Sequence, residues 1–137
     1  MKRTLLALAM TLVSAAAVPV LYAQSAASTF VVPFGFEARG KQLEPGTYSL
    51  YRVTSNALRM SKRGGGSIIL TMPAVAETRN LEHSRLVFHR YGDEYFLSQV
   101  WDSDAQRVVS YPTSTHEREL AAASEGKPSN VSLAAAR

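Results

Sequence analysis

The sequence predicts an all-β fold: an antiparallel meander of seven to eight strands that forms a small barrel or a sandwich, with a short C-terminal helix. Three observations support this prediction. Short runs of β-branched and aromatic residues alternate with Gly, Pro, Asn and Asp, which is the pattern of strands joined by tight turns. Residues 84–102 are the most regular of these units, a predicted β-hairpin. After Pro112 the pattern becomes that of a helix.

The first residues are predicted to be a signal peptide and not part of the fold. Lys2 and Arg3 precede an apolar run at residues 5–20, and small residues follow. The run is short for a membrane span, so we expect cleavage after Ala23 or Ala27. The predicted organisation is therefore a signal peptide (residues 1–23), a single β-rich domain with its helix (24–123) and a disordered tail (124–137). The mature chain is predicted to be periplasmic or secreted, without a transmembrane span.

Charge and cysteine content limit the possible partners and stabilising bonds. The formal charge is +4, and loss of Lys2 and Arg3 with the signal peptide would lower it to about +2. The remaining basic residues are scattered and form no stripe interleaved with aromatic residues, which argues against nucleic acid as a partner. The chain has no cysteine, so the domain must be stable without disulfides.

The mature chain opens with a predicted strand at residues 29–37. Phe30, Val32, Phe34 and Phe36 alternate with other residues, as in a strand with one buried face. Pro33 has no N–H to donate, which places this strand at an edge or at a bulge. Outside the hairpin, further strands are predicted at residues 47–53, 57–62, 67–72 and 107–111, with a short paired segment at 41–43.

The hairpin has Gly92-Asp93 between its two arms. Gly at the first central position suits a type II′ turn, and this two-residue loop places Phe88 opposite Leu97 and Leu86 opposite Gln99. A three-residue loop at 92–94 would shift the register by one residue. Both faces of the hairpin are partly apolar, so we expect both to be covered.

The C-terminal helix is predicted over residues 115–123. Ser114 and Glu117 have the spacing of a capping box, in which the glutamate side chain reaches back to the N-cap residue. So short a helix is marginal alone, and Leu120 is expected to dock it on the sheet. The small, polar residues after it are expected to be disordered.

The sequence predicts no catalytic residue, metal ligand or cofactor. His83 and His89 are roughly 20 Å apart if they share one extended strand, which is too far for one metal ion. Asp102-Ser103-Asp104 begins like a calcium loop, but the later ligands are missing. No serine lies in a Gly-x-Ser-x-Gly motif. If the protein is an enzyme, we expect His89 to meet Glu94 or Asp102 in a cleft.

Two segments resemble a known group of sequences. VPFGFEARGKQLEPGTYSL (residues 32–50) and RLVFHRYGDEYFLSQVW (residues 85–101) are similar to a group of uncharacterised small secreted bacterial β-rich proteins. The resemblance extends through the Glu-Arg-Glu-Leu of the helix. It implies export and a β-rich domain, and it implies no activity, cofactor or site residue.

These observations lead to three hypotheses about function. The first is an exported, non-enzymatic β-domain with a binding or structural role in the cell envelope and a partner whose identity the sequence leaves unknown. The second is a carrier that holds a small apolar ligand in a β-barrel interior lined by the many aromatic side chains. The third is an enzyme of unrecognised type.

Overall fold

A computed structural model describes residues 28–71, 76–124 and 126–136. In these residues the chain forms two mostly antiparallel sheets and one helix, a sandwich-like all-β fold. The described strands do not close into a barrel, so the carrier hypothesis loses the barrel interior that it required. The predicted signal peptide, residues 1–23, lies outside the described residues.

The elements have the following bounds: β1 Ser28–Val32, β2 Phe36–Ala38, β3 Lys41–Leu43, β4 Gly46–Thr54, β5 Ala57–Lys62, β6 Ser67–Thr71, β7 Ala76–Thr78, β8 Arg85–Tyr91, β9 Glu94–Asp102, β10 Arg107–Ser110, α1 Thr115–Ala123 and β11 Ser129–Ala134.

The strand at the start of the domain is divided in two. Residues 29–37 were predicted to form one strand, but β1 ends before Pro33 and β2 begins at Phe36. Proline cannot donate to a ladder, so the chain leaves the first sheet there. β1 pairs with β4, whereas β2 pairs with β3 and makes one parallel bridge to β9, Glu37 to Phe96. The break carries the chain from one sheet to the other.

The connectivity is less sequential than a simple meander. The first sheet has the order β1-β4-β5-β6, and the second has the order β11-β8-β9-β10-β7 with β2 and β3 attached at β9. The division at Pro33, the short strand β7 and the late strand β11 raise the number of strands above the seven to eight expected.

A continuous apolar core fills the space between the two sheets. Phe36 packs edge-to-face on both Tyr48 and Phe88, with ring centroids 5.3 and 5.2 Å apart. Burying each large apolar side chain contributes about 1.5–3 kcal/mol. The buried members of this core are Phe30, Val32, Phe36, Ala38, Tyr48, Leu50, Leu58, Met60, Leu70, Leu86, Phe88, Leu97 and Val100.

The β8–β9 hairpin confirms the predicted turn and corrects the register beyond it. Gly92 has a φ of 60°, and Phe88 lies opposite Leu97. After this pair Ser98 is an extra residue in β9, a β-bulge, and Leu86 faces Val100 instead of Gln99. The bulge keeps Val100 in the core and turns the polar Gln99 outward.

The C-terminal tail was predicted to be disordered, and this is wrong for most of it. Residues 129–134 form β11, which pairs with β8 along its whole length. Val131 and Leu133 alternate toward the core, and the Ala136 N–H donates to the Thr29 carbonyl of the first sheet at 2.7 Å. Two apolar side chains at strand spacing are enough to add this segment to an edge that would otherwise lack a partner.

The helix begins and ends where the sequence predicts. Ser114 is the N-cap residue, and its hydroxyl accepts a hydrogen bond from the Glu117 N–H at 3.1 Å. The Glu117 side chain is buried and turns to the sheet, so only half of the capping box forms. Leu120 is half-buried, and the buried side chain of the helix is that of Glu117.

Candidate functional site

Helix α1 covers a polar layer on the outer face of the second sheet. Phe36 and Ala38 of β2 face the core, so Glu37 between them faces outward, as does His89, which follows the core residue Phe88 in β8. Residues 116 and 117 of α1 meet these two side chains. We call the four residues Glu37, His89, His116 and Glu117 the His–Glu layer.

His116 pairs with Glu37 in the first half of this layer. His116 Nδ1 lies 2.8 Å from Glu37 Oε2, and the Glu37 side chain is only 5% exposed. The hydrogen bond to Glu37 raises the pKa of His116, since it favours the protonated ring; partial desolvation opposes it. Glu94 adds a weaker attraction at 3.6 Å from Nε2.

His89 and Glu117 form the second half of the layer. Here the histidine belongs to the sheet and the glutamate to the helix. His89 Nδ1 lies 2.6 Å from Glu117 Oε1, and Ser98 Oγ lies 3.1 Å from His89 Nε2. The Tyr91 hydroxyl donates to the same Glu117 oxygen at 3.3 Å. Burial, together with the Glu117 charge, raises the pKa of Tyr91. Both nitrogens of the His89 ring are thus engaged, one by an acid and one by a hydroxyl.

A pocket of about 210 Å³ opens beside the helix, and we call it the α1 pocket. Arg39 is at its rim, with a φ of 54°, and its guanidinium lies 5.9 Å from the centre of the Tyr111 ring. A positive φ is uncommon for a residue other than glycine. The lining residues are Glu37, Arg39, Gly40, Phe96, Leu97, Tyr111, Pro112, Thr113, Ser114 and Glu117.

Two buried polar atoms of pocket-lining residues have no hydrogen-bond partner: Glu37 Oε1 and the Tyr111 hydroxyl oxygen. Burial raises the pKa of Tyr111 above its usual range. Leaving such an atom unsatisfied costs about 1–3 kcal/mol, so each requires an explanation. Both are shielded from water here, so a ligand in the pocket would reach them only after a small side-chain rotation.

The residues that the sequence singled out are placed differently from expectation. His89 meets neither Glu94 nor Asp102. Asp102 instead makes an ion pair with Arg52 that joins the two sheets, and its other oxygen accepts from the Asp104 N–H at 3.1 Å. His83 lies exposed in a loop, at the edge of a second pocket of about 260 Å³.

Sequence reasoning did not find Glu37, Ser98, Tyr111 or Glu117 as members of a site. Glu37 carried one usable signal, since it lies between two residues of a strand that must face the core. Glu117 had already been assigned to the capping box. Ser98 gave no signal, because its position depends on a bulge that no residue pattern marked.

Within the described ranges, no group of three or more His, Asp or Glu side chains is placed to hold a metal ion. The helix of the described chain is neither long nor apolar enough to cross a membrane. Comparison with protein-family models, with curated proteins and with solved structures finds no match to this chain.

Proposed function

We propose that this protein is an exported domain that acts by binding, and that its ligand occupies the α1 pocket. One observation carries the proposal: a single pocket is lined by two residues, Glu37 and Tyr111, that each bury a polar atom without a partner. A ligand that supplies the missing hydrogen bonds offsets part of the cost of burying these atoms. Their presence costs stability, which is typical of a position selected for binding.

The lining indicates the chemical class of the ligand. Glu37 Oε1 accepts hydrogen bonds only, so it requires a donor or a cation. The Arg39 guanidinium at the rim donates only, so it suits a carboxylate. The volume of about 210 Å³ is below the range of roughly 300–1,000 Å³ that holds drug-sized ligands. An amino-acid-sized zwitterion has the required size and both required charges.

The backbone at Arg39 supports the same assignment. Arg39 and Gly40 form the two-residue turn between β2 and β3, and both have positive φ. A turn of this kind prefers Asn or Gly at its first position. Residues with such backbone conformations cluster at active sites and ligand-binding sites. Here the turn places the Arg39 guanidinium over the Tyr111 ring in the lining of the pocket.

Amide chemical shifts test the proposal. The protein is titrated with the L-amino acids, each to about 10 mM, tenfold above the Kd of about 1 mM that corresponds to −4.1 kcal/mol. We expect the amides of Gly40 and Thr113 to shift with at least one of them, while those of His83 and Ser84 at the second pocket stay fixed. No movement at Gly40 and Thr113 with any amino acid would overturn the ligand class.

Two variants separate binding from folding. Tyr111→Phe removes an unpartnered hydroxyl, so we expect it to raise the free energy of unfolding by about 1 kcal/mol and to weaken binding. Arg39→Asn relieves the turn and should weaken binding at least about tenfold without loss of stability. Arg63→Asn removes an exposed charge in another loop and should leave binding unchanged.

Export has its own test. N-terminal sequencing of the protein produced in a Gram-negative host should begin at Gln24 or Ser28, and an intact Met1 would contradict export.

A further inference from the structure

The hydrogen-bonded chain Ser98–His89–Glu117 has the form of a nucleophile, a base and an orienting acid. We propose that Ser98 is an activated serine that attacks acyl esters, with His89 as its general base and Glu117 as the residue that positions His89. The proposal rests on the contacts of these three side chains and does not depend on the binding of amino acids in the α1 pocket.

The two nitrogens of His89 have the partners that base catalysis requires, an acid on one and the nucleophile on the other. Glu117 Oε1 is 2.6 Å from Nδ1, so the carboxylate holds the ring proton on Nδ1. Nε2 then presents its lone pair to the Ser98 hydroxyl at 3.1 Å, which is within reach for proton transfer. The same division of roles activates serine in hydrolases of unrelated folds.

The bulge in β9 is what supplies the nucleophile. Ser98 is the extra residue between two regular pairs of the hairpin, and the Tyr111 N–H donates to its carbonyl at 2.9 Å. Bulges are frequent beside active sites, because they redirect one side chain while the rest of the strand keeps its register. These contacts fix the backbone of Ser98, and the bond to His89 Nε2 orients its hydroxyl.

The acid of this chain is buried, whereas the histidine and the serine are partly exposed. The Glu117 side chain is 6% exposed and the His89 side chain 30% exposed, and Ser98 is half-buried. A buried acid holds the base, and the base and nucleophile remain within reach of a small substrate. Of the three residues only Glu117 lines the α1 pocket, so a substrate would reach Ser98 from outside that pocket.

A purely structural role explains only part of this arrangement. Docking α1 on the sheet needs the contact between His89 and Glu117, and Tyr91 strengthens it. It does not need a serine hydroxyl on the far nitrogen of the ring. The two explanations therefore differ in the reactivity that they predict for Ser98.

The reaction conserves atoms and charge. The Ser98 oxygen bonds to the carbonyl carbon of the ester as its proton passes to His89 Nε2. The ester C–O bond then breaks, and the leaving alcohol takes the proton from His89. Water next attacks the acyl group on Ser98 with His89 again as base, which releases a carboxylic acid and restores the serine.

An alkyl fluorophosphonate tests the nucleophile directly. The Ser98 oxygen should form a bond to phosphorus and expel fluoride, giving one adduct whose site tandem mass spectrometry assigns to Ser98. Ser98→Ala should abolish the adduct, and His89→Ala should slow its formation at least about 100-fold. Ser132→Ala and His83→Ala alter exposed residues of the same types and should react like the unaltered protein. Absence of an adduct, or an adduct that persists in Ser98→Ala, would overturn the proposal.

Glu117→Gln tests the positioning role by a readout that helix docking alone would not change. An amide carries no charge to stabilise the imidazolium that forms as Ser98 loses its proton, so the labelling rate should fall. A second variant, Glu117→Asp, keeps the charge and should recover part of the rate. A labelling rate that is the same in the unaltered protein and in Glu117→Gln, or that Glu117→Asp does not recover, would exclude Glu117 from this role, and circular dichroism of each variant shows whether it is folded.

Discussion

Glu117 Oε1 lies 2.6 Å from His89 Nδ1, so a carboxylate at the start of a helix is bonded to the middle of a sheet 28 residues away. The neighbouring residue, His116, makes the opposite pairing, with a carboxylate of the sheet. A short helix with little apolar surface is thus held by two partly buried polar contacts. Such contacts are directional, which fixes the position of the helix and the shape of the pocket beside it.

Glu117→Ala should destabilise the protein by about 1–3 kcal/mol, because the substitution leaves the His89 ring and the Tyr91 hydroxyl without their acceptor. Urea unfolding followed by tryptophan fluorescence measures the change. Glu119→Ala alters an exposed carboxylate of the same helix and should change stability by less than about 0.5 kcal/mol. Equal effects of the two substitutions would show that Glu117 does not dock the helix.

The contact between His116 and Glu37 should make stability depend on pH. Folding raises the pKa of His116, so its contribution is fully present below the unfolded value of about 6.5 and is lost as the pH rises through the folded value. The difference in unfolding free energy between the protein and His116→Gln should be largest near pH 5.5 (about one unit below that unfolded value) and decline toward pH 9. His83→Gln, at an exposed position, should give a curve parallel to that of the unaltered protein. A difference that grows with pH would contradict the assignment.

Removal of residues 129–137 should destabilise the domain. β11 pairs with six residues of β8, and it packs Val131 and Leu133 against the core. Loss of these two partly buried side chains alone should cost about 2 kcal/mol or more. Ser132→Ala, which alters an exposed position of the same strand, is the control. A melting temperature unchanged by the truncation would show that the tail is disordered, as its composition predicts.

Gly92→Ala should cost about 1–2 kcal/mol through the backbone alone. The residue has a φ of 60°, and an added Cβ would meet no atom within 4 Å, so sterics with neighbouring side chains play no part. Gly66→Ala is matched in its open surroundings but lacks the positive φ, and it should change stability by less than about 0.5 kcal/mol. Similar costs at the two positions would contradict the II′ turn.

Local patterns were sufficient wherever the determining interaction is close in sequence. The turn at Gly92, the pairing of Phe88 with Leu97 and the bounds of α1 all follow from residues within a few positions of one another. The division of the first strand was predicted only in part. Pro33 indicated an edge or a bulge, but it did not indicate that the chain changes sheet there. The bulge at Ser98 could not be predicted from local patterns, because it results from the packing that keeps Val100 in the core and Gln99 outside it.

The sequence by itself determined an all-β domain with a central hairpin and one capped helix, because alternation, turn residues and caps act through neighbouring residues. Only the tertiary structure decided that β11 completes the second sheet, that Glu117 serves the sheet and not its own N-cap, and that Ser98, His89 and Glu117 meet. Each of these depends on which segment supplies the missing hydrogen bonds of another segment far along the chain. That choice is made by the packing of the two sheets and the helix together, and no short stretch of sequence contains it.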